Sequence, residues 1–143
     1  MKTKTRSFNT VCVLFFLISF SGCLGDGADP LPDLYEVTGV ITLDGQPLGN
    51  AKVVFEPEEV REKARRRASS ATTKADGSFR LYYNPKAAGA TSGKHQVTIF
   101  KLPDDNEEPG DEQSIPAKYN EKTELTADVT EGDNTINFDL KSN

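Results

Sequence analysis

The chain has 143 residues, enough for one domain, and its composition of 36% apolar and 27% charged residues is polar for a folded protein. The formal net charge is −5, and beyond residue 22, where 14 basic residues face 22 acidic ones, the net charge is −8. This acidic balance argues against nucleic acid as a partner, because binding to phosphates requires a positively charged surface.

The amino-terminal segment, residues 1–22, has the three zones of a secretory signal peptide. Three basic residues come first, an almost wholly apolar run follows at residues 11–20, and two small residues precede Cys23. An apolar helix of this length spans about 15 Å, roughly half of a hydrocarbon core, which argues against a transmembrane helix. The segment therefore predicts export.

Cys23 lies where the apolar run gives way to a glycine-rich, acidic stretch. The sequence Phe20-Ser21-Gly22-Cys23 resembles the bacterial lipobox, in which cleavage precedes a cysteine that carries diacylglycerol, although an aliphatic residue is usual at the position of Phe20. The resemblance implies lipidation of Cys23 and durable anchoring to the cell membrane or outer membrane, facing the periplasm or the exterior. Ordinary secretion and an uncleaved anchor are the alternatives.

Residues 23–35 are predicted to be the lipidated cysteine and a flexible tether. Glycine, proline and aspartate dominate residues 24–34 and leave no periodic pattern. The folded domain is predicted to occupy residues 36–143.

Alternating apolar residues in this domain predict seven short β-strands. They fall at residues 36–43, 50–57, 69–74, 78–83, 94–101, 124–130 and 134–141. Asp44-Gly45 and Asp76-Gly77 each stand between two such runs and predict hairpins, because glycine accepts the positive φ that these turns require. The spacing predicts an all-β, seven-stranded antiparallel β-sandwich.

The same alternation divides side chains between core and surface. The predicted core consists of Val37, Ile41, Leu43, Ala51, Val53, Phe55, Phe79, Leu81, Tyr83, Val97, Ile99, Leu125, Ala127, Val129, Ile136, Phe138 and Leu140. His95, the only histidine, falls on the inward parity at the rim of this core. Four apolar residues fall on the outward parity, namely Val40, Val54, Tyr82 and Phe100, and if they adjoin they form a surface for a partner protein.

Residues 56–68 do not alternate and hold a basic cluster. Its members are Arg61, Lys63, Arg65, Arg66 and Arg67, and two Glu-to-basic pairs at i,i+4 spacing favour a short helix, with a mobile loop as the alternative. The ordinary interpretation of such a cluster is a solvated helix face, or pairing with an acidic loop of the same molecule. Docking on anionic lipid head groups or wall polymers is the functional alternative for these five residues.

That acidic loop is residues 103–112, whose charges, prolines and glycine predict a solvated, mobile segment. Because carboxylates bind calcium, the loop was compared with the pattern of a calcium-binding EF-hand loop. The match fails, because Pro109 occupies the glycine position and Ile115 the position of the bidentate glutamate. Weak calcium binding stays an alternative.

Four stretches of the body carry a family resemblance: VTGVITLDGQPLGNAKVVFEP, ATTKADGSFRL, GKHQVTI and the closing IPAKYNEKTELTADVTEGDNTINFDLK. The first three resemble the carboxypeptidase regulatory-like domain, a transthyretin-like β-sandwich. The fourth resembles the end of small bacterial lipoproteins built on that domain. The resemblance implies an accessory or structural module and brings no catalytic residue.

No pattern in the sequence indicates a catalytic site, a cofactor or a metal. One histidine cannot supply a zinc site, and no G-x-S-x-G motif marks a nucleophile. The sequence therefore predicts a non-enzymatic, lipid-anchored β-sandwich with a binding or structural role at the cell envelope, whose partners are the membrane and an envelope protein or anionic wall polymer. The alternatives are a hydrolase-associated accessory module, a weak enzyme of unknown substrate, and an adhesin-like module with a Lys52–Asn137 isopeptide bond, which the outward parity of both residues disfavours.

Overall fold

The computed structural model of the protein describes residues 30–59, 67–103 and 115–143. These ranges contain eleven β-strand segments, no α-helix and one turn of 3₁₀-helix at Ala117–Tyr119. The strands form two sheets, and the buried side chains of both sheets belong to one apolar cluster. The fold is therefore a β-sandwich, as the alternating pattern predicts.

The first sheet is organised by strand β1 (Val37–Leu43), with which its four other strands pair. β2 (Gln46–Pro47) and β5 (Ser78–Arg80) run antiparallel to β1 along one edge. β10 (Asn134–Thr135) and β11 (Phe138–Leu140) run parallel to β1 along the other edge. The prediction of a wholly antiparallel sandwich is therefore wrong for this sheet.

Strands β10 and β11 are separated by a break at Ile136 and Asn137, opposite the middle of β1. The Ile136 N–H still donates to the Thr38 carbonyl (2.8 Å), and the Asn137 side-chain oxygen accepts a hydrogen bond from the Val40 N–H (2.9 Å). Gly39 lies at this point, and a Cβ built there would be 1.8 Å from the Ile136 carbonyl oxygen. Only glycine allows the first and last strands to approach this closely.

The second sheet has six antiparallel strands in the order β7-β6-β4-β3-β8-β9. Their bounds are β3 (Ala51–Pro57), β4 (Ser69–Thr72), β6 (Tyr82–Asn84), β7 (Ala87–Ala88), β8 (Gly93–Lys101) and β9 (Thr126–Val129). The longest ladder joins β3 to β8, from the pair Ala51–Lys101 to the pair Pro57–His95. This ladder forms the middle of the sheet.

Both predicted Asp-Gly turns form, and in the second the Lys74 N–H donates to the Ser78 carbonyl (2.9 Å), but only the first joins two strands that pair with each other. Asp44 and Gly45 both have positive φ, 52° and 80°, and join β1 to β2. Gly77 also has positive φ, 76°, but β4 and β5 on either side of it lie in different sheets. The buried Thr73 stands where the chain leaves β4. Its hydroxyl donates to the Leu48 carbonyl (2.7 Å), so it bonds to the chain before β3 and not to β5.

Two predicted strands are divided between elements. The run 78–83 breaks at Leu81, whose N–H donates to Val37 in the first sheet and whose carbonyl accepts from Gly89 (2.9 and 2.8 Å). The chain therefore passes from β5 in one sheet to β6 in the other. The run 134–141 divides into β10 and β11, and Tyr35, assigned to the tether by its sequence, forms a β-bridge with Ala90.

The core agrees closely with the predicted set. Tyr83, Leu125 and Ile136 are half-buried, and all the other predicted core residues are buried. The buried apolar cluster also includes Leu48, Ala90 and Ile115, which the alternation does not identify because they lie outside regular strands. Phe55 of β3 joins the two sheets, with its ring centroid 6.4 Å from that of Phe79 and 6.1 Å from that of Phe138.

Replacing Gly77 with alanine is expected to destabilise the protein more than replacing Gly45. The positive φ at both positions imposes backbone strain of about 1 kcal/mol on alanine. A Cβ at Gly77 would also lie 2.4 Å from the Ile41 carbonyl oxygen, whereas a Cβ at Gly45 meets no atom within 4 Å. Chemical denaturation should therefore show a loss of about 3 kcal/mol for G77A against about 1 kcal/mol for G45A. Equal losses would contradict the tight crossing turn at Gly77.

Candidate functional site

His95 lies inside the sandwich rather than at the rim predicted for it, with 1% of its surface exposed. Its imidazole centroid is 6.0 Å from that of Phe55. Nδ1 is 3.0 Å from the Gly93 carbonyl oxygen, which can only accept, so Nδ1 carries the proton. Nε2 then accepts from the Thr91 hydroxyl at 3.4 Å. The neutral imidazole thus has a partner at each nitrogen.

The Thr91–His95 pair has the arrangement of a hydroxyl and its general base, but not the access. Nε2 already has the Thr91 hydroxyl as its partner, and the near-complete burial of the ring leaves no surface at which a substrate could contact it. The geometry assigns His95 a structural role, in which it ties residues 91–93 to the core beside Phe55.

Burial also sets the protonation of His95. Desolvation lowers the pKa of its imidazole, and the hydrogen bond to Gly93 and the negative charges of Asp128 and Glu58 oppose this effect in part. Because the pKa of His95 is lower in the folded state, a pH range exists below the unfolded-state pKa of about 6.5 in which the unfolded chain binds a proton at this histidine and the folded chain does not. His95 therefore reduces stability as the pH falls from about 6.5 towards the folded-state pKa.

Replacing His95 with phenylalanine is expected to make the protein less sensitive to acid. The variant keeps a ring against Phe55 but has no group that titrates near neutral pH. Thermal unfolding at pH 7.5 and pH 5.0 should show a smaller fall in Tm for H95F than for the wild-type protein, whatever their Tm values at pH 7.5. An equal fall in both proteins would show that carboxylates, and not His95, cause the acid sensitivity.

A buried asparagine, Asn134, is a structural residue that the sequence did not single out. Its side-chain oxygen accepts from the Thr130 N–H (2.9 Å), and its amide nitrogen donates to the carbonyls of Thr130, Gly132 and Glu36 (2.9, 3.0 and 3.2 Å). Asn134 thus fixes the turn between β9 and β10 to the start of β1. The sequence signal for this role was a polar residue at an inward-facing position of a predicted strand.

Of the predicted basic cluster, the structure describes only Arg67. Its Nε donates to the Tyr83 carbonyl (3.0 Å), and its guanidinium carbon lies 5.3 Å from the centroid of the Tyr83 ring. Arg67 therefore joins the chain before β4 to β6. Arg61, Lys63, Arg65 and Arg66 lie outside the described residues, as do Cys23 and residues 104–112 of the acidic loop.

The two ends of the sandwich differ in which segments leave them. At the first, here called the Tyr35 end, Tyr35 pairs with Ala90 just before β8 begins, and the Glu58 N–H donates to the Lys94 carbonyl (2.9 Å). At the second, the Asn50 end, the Asn50 side chain donates to the carbonyl of Pro103 (3.1 Å).

The β3–β8 ladder separates the two ends by about 20 Å. Glu59, which precedes the basic segment, therefore lies at the Tyr35 end, and Pro103, which precedes the acidic one, at the Asn50 end.

The four outward apolar residues do not form one patch. Val40 is 39% exposed on the first sheet, whereas Tyr82 and Phe100, 43% and 41% exposed, lie on the outer face of the second sheet together with the half-buried Val54. Val54 and Tyr82 stand in one cross-strand row, separated by Ser70. The second sheet therefore presents exposed rings on an open face.

Within residues 30–59, 67–103 and 115–143, no group of three or more His, Cys, Asp or Glu side chains could hold a metal ion. Over the same ranges no helix has the length and apolar character needed to cross a membrane. Every buried side-chain nitrogen or oxygen in this part of the chain has a hydrogen-bond partner.

Comparison with known proteins does not assign the chain to a family. No family model matches the chain. No curated protein matches it either. A solved structure, a DUF3823 family protein from Parabacteroides merdae, is similar with a TM-score of 0.40 and 18% sequence identity. The similarity covers 76% of this chain and 47% of that protein, so the chain spans about half of the other protein's length.

Proposed function

We propose that the protein is a lipid-anchored β-sandwich of the bacterial cell envelope that acts by binding, and that its sandwich is the transthyretin-like module of carboxypeptidase regulatory-like domains. The observation that carries the proposal is the position of Cys23 after an apolar run and before a stretch rich in glycine, proline and aspartate. Lipidation of this cysteine would attach the domain to the membrane through the chain that enters at Tyr35.

The arrangement of the described residues is compatible with a binding role. The histidine is enclosed in the core, and the exposed aromatic side chains of Tyr82 and Phe100 lie on the outer face of the second sheet. A module attached at its Tyr35 end would leave both sheet faces accessible to partners. The adhesin alternative is disfavoured in its isopeptide form, because Lys52 lies in the second sheet and Asn137 beside the first.

Replacing Cys23 with serine is expected to release the protein from membranes or to leave its precursor unprocessed, because serine cannot form the thioether to diacylglycerol. Cys12→Ser is the matched control, since Cys12 is the only other cysteine of the chain and lies within the apolar run. Membrane fractionation and intact mass of both variants measure the effect. If C23S fractionates and migrates like the wild-type protein and C12S, lipidation of Cys23 is wrong.

A second contribution to envelope binding is proposed for the basic cluster. Glu59 precedes this segment and lies at the Tyr35 end, at which a lipid anchor would hold the domain. Each basic residue near an anionic membrane surface contributes on the order of 1 kcal/mol. The alternative of pairing with the acidic loop is disfavoured, because that loop follows Pro103 at the opposite end of the sandwich.

Replacing Arg65 and Arg66 with glutamine is expected to weaken binding to anionic vesicles in low salt. Arg67 is retained in this variant because it bonds to Tyr83. Lys74→Gln with Lys122→Gln is the matched control, since it removes the same charge from two other exposed positions. Co-sedimentation of the C23S protein without residues 1–22, whose apolar run would itself bind lipid, measures binding to phosphatidylglycerol vesicles at about 0.01 M and 0.1 M salt, over which the screening length falls from roughly 30 Å to 10 Å. No sedimentation at low salt, or equal loss in both variants, would contradict docking by the cluster.

A further inference from the structure

The turn that joins β7 to β8, residues 89–92, holds the chain that enters the domain. Tyr35 and Ala90 exchange two backbone hydrogen bonds: the Tyr35 N–H donates to the Ala90 carbonyl (2.9 Å), and the Ala90 N–H donates to the Tyr35 carbonyl (3.0 Å). A Cβ built at Gly89 would lie 2.5 Å from the Tyr35 carbonyl oxygen, so the two segments are in close contact. This isolated pair, here called the Tyr35–Ala90 bridge, ties the entering chain to the turn.

His95 contacts the same turn from inside the core. Its Nε2 accepts from the Thr91 hydroxyl (3.4 Å), and its Nδ1–H donates to the Gly93 carbonyl (3.0 Å) at the start of β8. The ring is 1% exposed, whereas Ser92, next to Thr91, is exposed. The turn therefore separates Nε2 from water, and its displacement would hydrate this nitrogen.

Protonation of His95 changes what the ring requires at Nε2. The neutral imidazole accepts a hydrogen bond at this nitrogen, whereas the imidazolium donates at both nitrogens and carries a charge. The Thr91 hydroxyl would then have to turn from donor to acceptor over 3.4 Å, and the charge would stay buried beside Phe55. Because a buried charge without hydration is costly, a proton on His95 favours the state in which water reaches Nε2.

The charged groups around the ring only partly offset this cost. Asp128 of β9 and Glu58, which follows β3, favour the charged imidazole, and Lys94, paired with Glu58 at 3.6 Å, opposes them. On the first sheet at the same end, Glu36 and Arg80 pair with each other (3.1 Å). Burial outweighs the attraction of the carboxylates, since the pKa of the imidazole is lowered on balance.

The strand ladders do not depend on this turn. β8 pairs with β3 and with β9 from Gly93 onward, and residues 90–92 take no part in either ladder. The Glu36 carbonyl accepts from the Asn134 N–H (2.9 Å), which fixes the chain to the first sheet immediately after Tyr35. Displacement of residues 90–92 would therefore break the Tyr35–Ala90 bridge and leave both sheets assembled.

We infer that protonation of His95 opens residues 90–92 and releases Tyr35, so that acid detaches the entering chain from the second sheet. In the closed state the chain leaves the domain at the Tyr35–Ala90 bridge. In the open state it is held only from Glu36 onward, and the domain gains freedom to turn relative to its anchor. The inference adds a regulation to the proposed anchored module, and it rests on that proposal for what the entering chain is attached to.

The test is amide hydrogen exchange of the full-length protein, purified in detergent, at pH 7.5 and pH 5.5. Mass spectrometry of fragments that contain Tyr35 or Ala90 measures exchange, which is corrected for the intrinsic rate at each pH. Because an exposed histidine has a pKa of about 6.5, the open state gains up to about tenfold between these pH values. The corrected exchange of both amides should rise several-fold, up to this limit. The β3 segment 51–57, in the middle of the second sheet, should stay better protected than the bridge at both pH values.

Two variants separate His95 from the carboxylates. H95F and H95Q do not titrate, and H95Q keeps an amide that can donate and accept, so the corrected exchange at Tyr35 and Ala90 should not change with pH in either. E131Q is the matched control: it removes an exposed titratable group beside the Tyr35 end and should respond like the wild-type protein. Thermal midpoints check that each variant is folded. If neither histidine variant folds, the pH at which the wild-type rise begins decides, since carboxylates titrate near 4.

Three results would overturn the inference. The first is no rise in exchange at Tyr35 and Ala90, and the second is an equal rise in H95F and H95Q, which would assign the effect to carboxylates. The third is equal protection of the bridge and of residues 51–57 at pH 5.5, which would mean that acid unfolds the whole domain. None of these results bears on the lipidation of Cys23, which membrane fractionation tests separately.

Discussion

The pairing of β1 with the last two strands is the constraint on which the rest of the structure depends. Every other strand of the first sheet pairs with β1, and one whole side of this sheet forms only because residues 134–140 return to residues 37–43. A parallel return cannot be made by a hairpin, and the chain must cross to the second sheet before it comes back. The absence of a side chain at Gly39 permits the contact, since the Ile136 carbonyl occupies the space of a Cβ.

The crossings between the sheets share one physical solution. Wherever the chain leaves a ladder, backbone groups lose their strand partners and need others, because buried unpaired groups are costly. Thr73 supplies a hydroxyl at the passage from β4 to β5, and Asn134 supplies an amide between β9 and β10. Buried polar side chains therefore hold the chain at two of its passages between the sheets, whereas backbone hydrogen bonds of Leu81 do so between β5 and β6. Phe55 and its neighbours pack the two sheets together.

The same architecture distributes the surfaces that are available for function. Because β3 and β8 form a long central ladder, one end of the sandwich receives the chain from the amino terminus and the other borders the acidic segment. The core encloses His95, whereas Tyr82 and Phe100 stand exposed on the outer face of the second sheet. In the proposed binding role, partners would contact the outer faces of the two sheets.

Local pattern was enough to predict the β class, nearly all of the core and the first hairpin. Alternation assigns Val53, Phe55 and Val97 to the interior, and Asp44-Gly45 has the positive φ that a two-residue turn needs. The pairing of strands could not be predicted in this way. Asp76-Gly77 has the same local signal as Asp44-Gly45, but its flanking strands have different partners, since β4 pairs with β3 and β5 pairs with β1. For the candidate site, alternation placed His95 on the inward parity but could not bring Tyr35 beside Ala90, because such neighbours are set by strand pairing over long sequence separations, which no local pattern encodes.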